Sequence, residues 1–141
     1  MLYTLGYASY TQSAFIEQLA ALGVHTLVDV RESPRSRKPG FGGAALQRRL
    51  AEHGIDYVHL RSLGAPRPLR DALAASGDRE AFLRDYAAHA AQQDEIERLA
   101  ALAREGVVAA MCLETDPALC HRSVLAAIVK ERWPGIEVVV R

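Results

Sequence analysis

Short apolar runs alternate with helical stripes along the length of this chain. Leu2 to Tyr7 mixes aliphatic, β-branched and aromatic residues and breaks at Gly6-Tyr7-Ala8-Ser9, the pattern of a buried first strand. Ser9 or Thr11 can cap a following helix whose Phe15, Ile16, Leu19 and Leu22 share one face, and Gly23 ends it. His25 to Val30 reads as the second strand. A loop rich in Pro, Ser, Arg and Gly follows from Arg31 to Gly43, long for a strand-to-helix link. Ala44 to His53 then forms a short helix stopped by Gly54, and Ile55 to Leu60 a third strand. Residues 69 to 105 are alanine-rich and helical, with Phe82, Tyr86 and Ala90, then Ile96, Leu99 and Leu102, at helical spacing that marks them as core. Val107 to Leu113 is apolar on both faces, as a central parallel strand should be. Asp116 as N-cap and Pro117 as first helical residue open a helix that runs to Trp133. Pro134-Gly135 turns the chain into a last strand, Ile136 to Val140.

This alternation predicts an α/β fold of three layers, with a mostly parallel, five-stranded, Rossmann-like sheet. Right-handed crossovers suggest the strand order 3-2-1-4-5. Ligands in such sheets bind at the carboxyl ends of the strands, where the winding reverses. Those ends carry Gly6 to Ser9, Arg31 with its loop, and Cys112 to Arg122.

A chain of 141 residues is expected to form a single domain, 1–141. No apolar run approaches the ~18 residues that span a bilayer, so no membrane association is expected. The N-terminus lacks the features of a secretory signal. Two cysteines are too few for a secreted disulfide framework, and a cytoplasmic location follows as the default. The net charge of zero hides an asymmetry. From Asp29 to Arg70 there are nine Lys/Arg against four Asp/Glu, and from Asp71 onward eight against twelve. The basic segment is suited to attracting an anion.

The densest chemistry lies in Cys112-Leu113-Glu114-Thr115-Asp116-Pro117-Ala118-Leu119-Cys120-His121-Arg122. With Asp116 as N-cap, Cys120, His121 and Arg122 fall in the first two turns of the helix. His121 then points toward the carboxyl edge of the sheet. Cys120, near a helix start with His and Arg beside it, is placed to lose its proton more easily than a free thiol. It reads as a nucleophile or redox thiol, or as a small buried hydrophobe. Cys112 reads as core, or as partner of Cys120 in a reversible disulfide. A zinc site from Cys112, Cys120, His121 and Glu114 or Asp116 matches none of the paired C-x-x-C patterns, so no metal is assigned. The second cluster, Asp29 to Arg37, adds an acid and the guanidiniums of Arg31, Arg35 and Arg37, forks suited to phosphate or carboxylate oxygens. Ser9 and Ser36 can donate further hydrogen bonds. Neither a dinucleotide fingerprint, a P-loop nor a G-x-S-x-G elbow is present, and no cofactor is named.

Several segments together resemble the domain of unknown function 488 family. They are Thr4-Leu5-Gly6-Tyr7-Ala8-Ser9, Asp29-Val30-Arg31 with Pro34 and Ser36-Arg37, Phe41, Gly54-Ile55-Asp56-Tyr57, Leu63-Gly64, and Cys112-Leu113-Glu114 through Cys120-His121-Arg122. They stand in the family's order. One departure is that Tyr7-Ala8 occupies the region where the family's first motif usually carries His. Tyr7 can hydrogen-bond there but not transfer a proton near neutral pH. The resemblance implies a small cytosolic protein whose motifs look enzymatic.

The leading expectation is an enzyme for an anionic substrate that contains phosphate or a nucleotide. Cys120 would act as nucleophile or redox thiol, His121 as acid/base, and Asp29 or Glu114 as an orienting carboxylate. Arg31, Arg37 and Arg122 would bind the anion, with Ser9, Tyr7 and Ser36 around it. The alternative is a nucleic-acid-binding or accessory protein using the basic segment 31–70, with steep salt dependence. A purely structural Cys-His-Arg helix cap is a third reading. Trp133 and the last strand are where a homo-oligomer would meet.

Overall fold

The computed structural model describes residues 1–112 and 121–141. Five parallel strands form one sheet, namely β1 Leu2–Gly6, β2 Thr26–Asp29, β3 Asp56–His59, β4 Val108–Cys112 and β5 Val138–Val140. The helices are α1 Gln12–Ala21, α2 Gly43–Glu52, α3 Arg67–Ser76, α4 Arg79–Ala91, α5 Glu95–Glu105 and α6 Arg122–Arg132. A 3-10 turn, Arg61–Leu63, follows β3. Thr11, not Ser9, caps α1, its side chain accepting from the Ala14 amide at 3.1 Å.

The fold is the expected three-layer α/β arrangement, but its strand order is β3-β2-β4-β1-β5 rather than 3-2-1-4-5. β4 takes the centre and β1 moves one place outward. The reason lies in composition. Every residue of Val108–Cys112 is buried, and the small side chains of Ala109 and Ala110 leave room for the layers packed above and below the sheet. A strand so apolar on both faces is most stable where it is covered on all sides. β1 instead carries the half-buried Tyr3 and the buried but polar Thr4, whose hydroxyl accepts from the Arg141 amide beside β5.

The connections β1 to β2 and β2 to β3 run one way across the sheet, and β4 to β5 runs the other. Crossovers of one hand therefore place their helices on opposite faces. One core joins Phe15, Ile16 and Leu19 of α1 with Leu46 and Leu50 of α2, over Leu5, Leu27, Ala109 and Met111. The other joins Tyr86, Ile96, Leu99, Leu125 and Val129 over Leu2, Val28, Val108 and Ala110. Phe82 and Tyr86 are core, as their spacing implied.

α6 begins at Arg122 with His121 as its N-cap, several residues later than an Asp116 cap would start it. Asp116 and Pro117 lie outside the described residues. At the carboxyl edge, Gly6 pairs with Cys112 and Asp29 with Met111, so β4 ends between the ends of β1 and β2. β2 and β4, which lead into the two sequence clusters, are adjacent in this order, whereas 3-2-1-4-5 would put β1 between them.

Candidate active site at the carboxyl edge of the sheet

β2 ends in Asp29, which is completely buried, and the chain turns at once through Val30 to Arg31. That spacing lets Arg31 fold back on the carboxylate. Arg31 Nε donates to Asp29 Oδ1 at 2.8 Å and Nη2 to Oδ2 at 2.6 Å, a two-pronged ion pair. The Arg31 amide adds a bond to Oδ1 at 3.1 Å, and Tyr57 of β3 donates its hydroxyl to Oδ2 at 2.5 Å. Four donors thus surround one buried carboxylate.

The other prong of Arg31 holds the long loop. Nη1 donates to the Phe41 carbonyl at 2.8 Å and to the Tyr7 hydroxyl at 3.2 Å. Tyr7 in turn donates to Ser36 Oγ at 3.2 Å, and its ring stacks on Phe41 at 4.6 Å. Burial opposes the Arg31 charge, but Asp29 outweighs it and holds the guanidinium protonated beyond its ordinary range. Burial, followed by the hydrogen bond to Asp29 and then its charge, pushes the Tyr57 hydroxyl up, so it stays a donor.

Two glycines permit this packing. A Cβ on Gly64 would lie 2.1 Å from the Glu32 amide nitrogen, so only glycine lets the loop after β3 lie against the Arg31–Glu32 backbone. A Cβ on Gly43 would meet the Tyr57 hydroxyl at 2.8 Å and crowd the bond to Asp29. His59 of β3 braces the same turn, its Nε2 lying 2.7 Å from the Arg31 carbonyl.

His121 lies against this turn from the other side. Its Nε2 sits 3.0 Å from the Val30 carbonyl, which makes Nε2 the protonated nitrogen of a neutral ring. The Tyr86 ring meets it edge-on at 4.8 Å. Burial lowers its pKa to about 4; the bond to Val30 opposes this, and the charges of Arg122 and Arg70 add to it. Arg122, fully buried, donates through Nη1 to the Arg141 carbonyl at 2.9 Å.

The residues expected at the site therefore separate. Asp29, Arg31, Tyr7 and Ser36 form one connected network, and His121 shares the β2 turn with them. Arg122 reaches the Arg141 carbonyl with one prong, Nη1, of its buried guanidinium. Arg37 and Ser9 are exposed beside the network without joining it. Cys112 is buried and disulfide-bonded, so it is not a free core thiol; Cys120, the chain's other cysteine, and Glu114 lie outside the described residues. Among the described residues, no three His, Cys, Asp or Glu side chains are placed to hold a metal ion.

Sequence reasoning missed Tyr57, Lys38 and the Phe41 carbonyl. Strand alternation carried a signal for Tyr57, which pairs with Leu27 and so shares a sheet face with Asp29. Lys38, whose Nζ donates to the Ala8 carbonyl at 2.7 Å, and the Phe41 carbonyl depend on loop conformation and had none.

No match was found among curated proteins or among solved structures. The family model described as "Domain of unknown function DUF488" matches residues 11–129, which include the Asp29–Arg31 turn, Tyr57, Gly64 and His121. By that match the chain belongs to the DUF488 family.

Proposed function

We propose that this chain is an enzyme acting on a phosphate- or nucleotide-containing anion at the carboxyl edge of its sheet. One observation carries the reading. A buried ion pair, capped by two tyrosine hydroxyls, and a neutral, half-buried imidazole share the same turn after β2. Buried ion pairs add little stability compared with apolar packing, and perturbed titratable groups gather at functional sites.

The roles divide by accessibility. Asp29 is saturated with donors, so it acts by positioning Arg31 and through it the loop. Arg37 is exposed on that loop, with exposed Arg35 nearby and Lys38 fastened across it to Ala8. Neither Arg35 nor Arg37 forms an ion pair among the described residues, which leaves both charges for an incoming anion. Cys120 supplies the thiol chemistry in the reduced protein, in which an external thiol has opened the disulfide that Cys112 forms. His121, unprotonated at neutral pH, is the neighbouring group able to accept a proton. The disulfide at Cys112 favours redox-linked use of that thiol.

The test begins with reduced full-length protein and a panel of inorganic phosphate, phosphate monoesters and nucleoside mono- and diphosphates. Binding is read from the thermal midpoint, then turnover of whichever anions stabilise the protein. At least one anion should raise the midpoint, Arg37→Ala should weaken it by about tenfold, and Cys120→Ser should abolish turnover with the fold intact. If no anion binds, or Cys120→Ser turns over normally, the proposal fails. Salt-sensitive binding of an oligonucleotide, without turnover of any small anion, would indicate a nucleic-acid-binding protein instead.

A further inference from the structure

An opening of about 450 Å³ lies on the α4–α5 side of the sheet. It sits between the loop after β2, the 3-10 turn after β3, α4 and the first turn of α5. Its walls include Glu32, Arg61, Ser62, Pro66, His89 and Glu95. Gly64 also lines it, where the loop after β3 packs on the Arg31–Glu32 backbone; the charged and hydrogen-bonding side chains of the site above do not. Its size falls within the range of small-molecule sites, roughly 300–1,000 Å³.

Most of its polar groups are satisfied by one another. The Ser62 amide and hydroxyl both donate to Glu95 Oε1, at 2.8 and 2.6 Å. His89 Nε2 donates to the Ser62 carbonyl at 2.8 Å, and Nδ1 accepts from Gln93 Nε2 at 3.4 Å, the pattern of a neutral ring. Glu32 pairs with Arg70 at 2.6 Å and accepts from the Arg67 amide at 3.4 Å.

Two lining charges form no ion pair among the described residues. One is the half-buried carboxylate of Glu95, the other the exposed guanidinium of Arg61. Fastening the 3-10 turn to α5 uses only Oε1 of Glu95, which leaves Oε2 for another partner. A simple anion entering here would face that carboxylate, and a simple cation would face Arg61. Only a ligand carrying both signs meets both groups favourably.

We propose that this cavity binds a small zwitterion, its ammonium group on Glu95 and its carboxylate on Arg61. The short apolar stretch between the two charges lies along Pro66. The site is independent of the anion crevice, and neither proposal needs the other.

Isotope-labelled full-length protein, titrated with glycine, β-alanine and γ-aminobutyrate in turn, tests this by amide chemical shifts. The three probes separate the charges by increasing distance. Butyrate and butylamine, each carrying one of the charges, are the controls. One zwitterion should give saturable shifts centred on Ser62, Gly64, His89 and Glu95, binding at least about tenfold more tightly than either control. Glu95→Gln keeps the acceptor for Ser62 and removes the charge, so it should weaken binding by about tenfold with shifts elsewhere unchanged. Arg61→Ala should do the same, whereas Arg37→Ala should leave it untouched. Absence of saturable shifts with all three probes overturns the proposal. So does equal binding of a control, or indifference to Glu95→Gln.

Discussion

Asp29 shows how a buried charge is kept in a small domain. A carboxylate with no access to water needs a partner for each lone pair, and here Arg31 supplies three donors and Tyr57 the fourth. Tyr57 is the informative one to remove, because the ion pair survives its loss. Tyr57→Phe leaves one acceptor position on Oδ2 unfilled and should lower unfolding free energy by about 1–3 kcal/mol. Urea denaturation measures this, and a change within error of zero would show that water replaces the hydroxyl there. Tyr7 occupies the region where the resemblance led one to expect His, and the structure shows what an aromatic hydroxyl does in its place. It accepts from Arg31 and donates to Ser36, which joins the end of β1 to the loop after β2.

At the scale of elements, the unit that holds the site is the β2 turn with the three segments pressed on it. The loop after β3 touches it at Gly64, β3 itself at His59, and the start of α6 at His121. Gly64 has ordinary backbone angles, so its requirement comes from proximity rather than conformation. Gly64→Ala would place a methyl group against rigid backbone, which cannot give way as a flexible side chain would. The expected cost is at or above the upper end of the about 1–3 kcal/mol typical of overpacking. Because the displaced segment is Arg31–Glu32, anion binding at the crevice should fall together with stability. Loss of stability with binding unchanged would show that the loop relaxes away from the site.

For the molecule as a whole, the half-buried imidazole of His121 links stability to pH. His121 is lowered from 6.5 to about 4 in the folded state, so between those values the unfolded chain binds the proton more readily. Stability from this group is fully present above the unfolded value and is lost as pH falls through the window. It amounts to at most about 3 kcal/mol. His121→Gln retains a donor for the Val30 carbonyl but does not titrate. Urea midpoints of the two proteins should therefore converge as pH falls from about 6.5 to about 4. Parallel curves would mean that the imidazole is solvated when folded.

Much of this architecture was legible in the chain. Periodicity marked all five strands, the flanking helices and the core aromatics, because burial on one face or both imposes a repeat that needs no knowledge of neighbours. It also brought Asp29, Arg31, Tyr7 and His121 to one edge, since strand ends carry whatever residues follow the apolar run. Strand order was another matter. The chain gives connection lengths and apolarity, and both allow β1 or β4 at the centre; only packing of both helical layers on Ala109 and Ala110 decides for β4. Hydrogen-bond partners were equally out of reach. That Arg31 meets Asp29 rather than solvent, and that Ser62 is tied to Glu95, depends on segments brought together from far apart in sequence. Local pattern determined what this chain buries and where its polar groups emerge. Tertiary contact decided which of those groups compensate one another and which charges, Arg37, Arg61 and Glu95 among them, form no ion pair among the described residues.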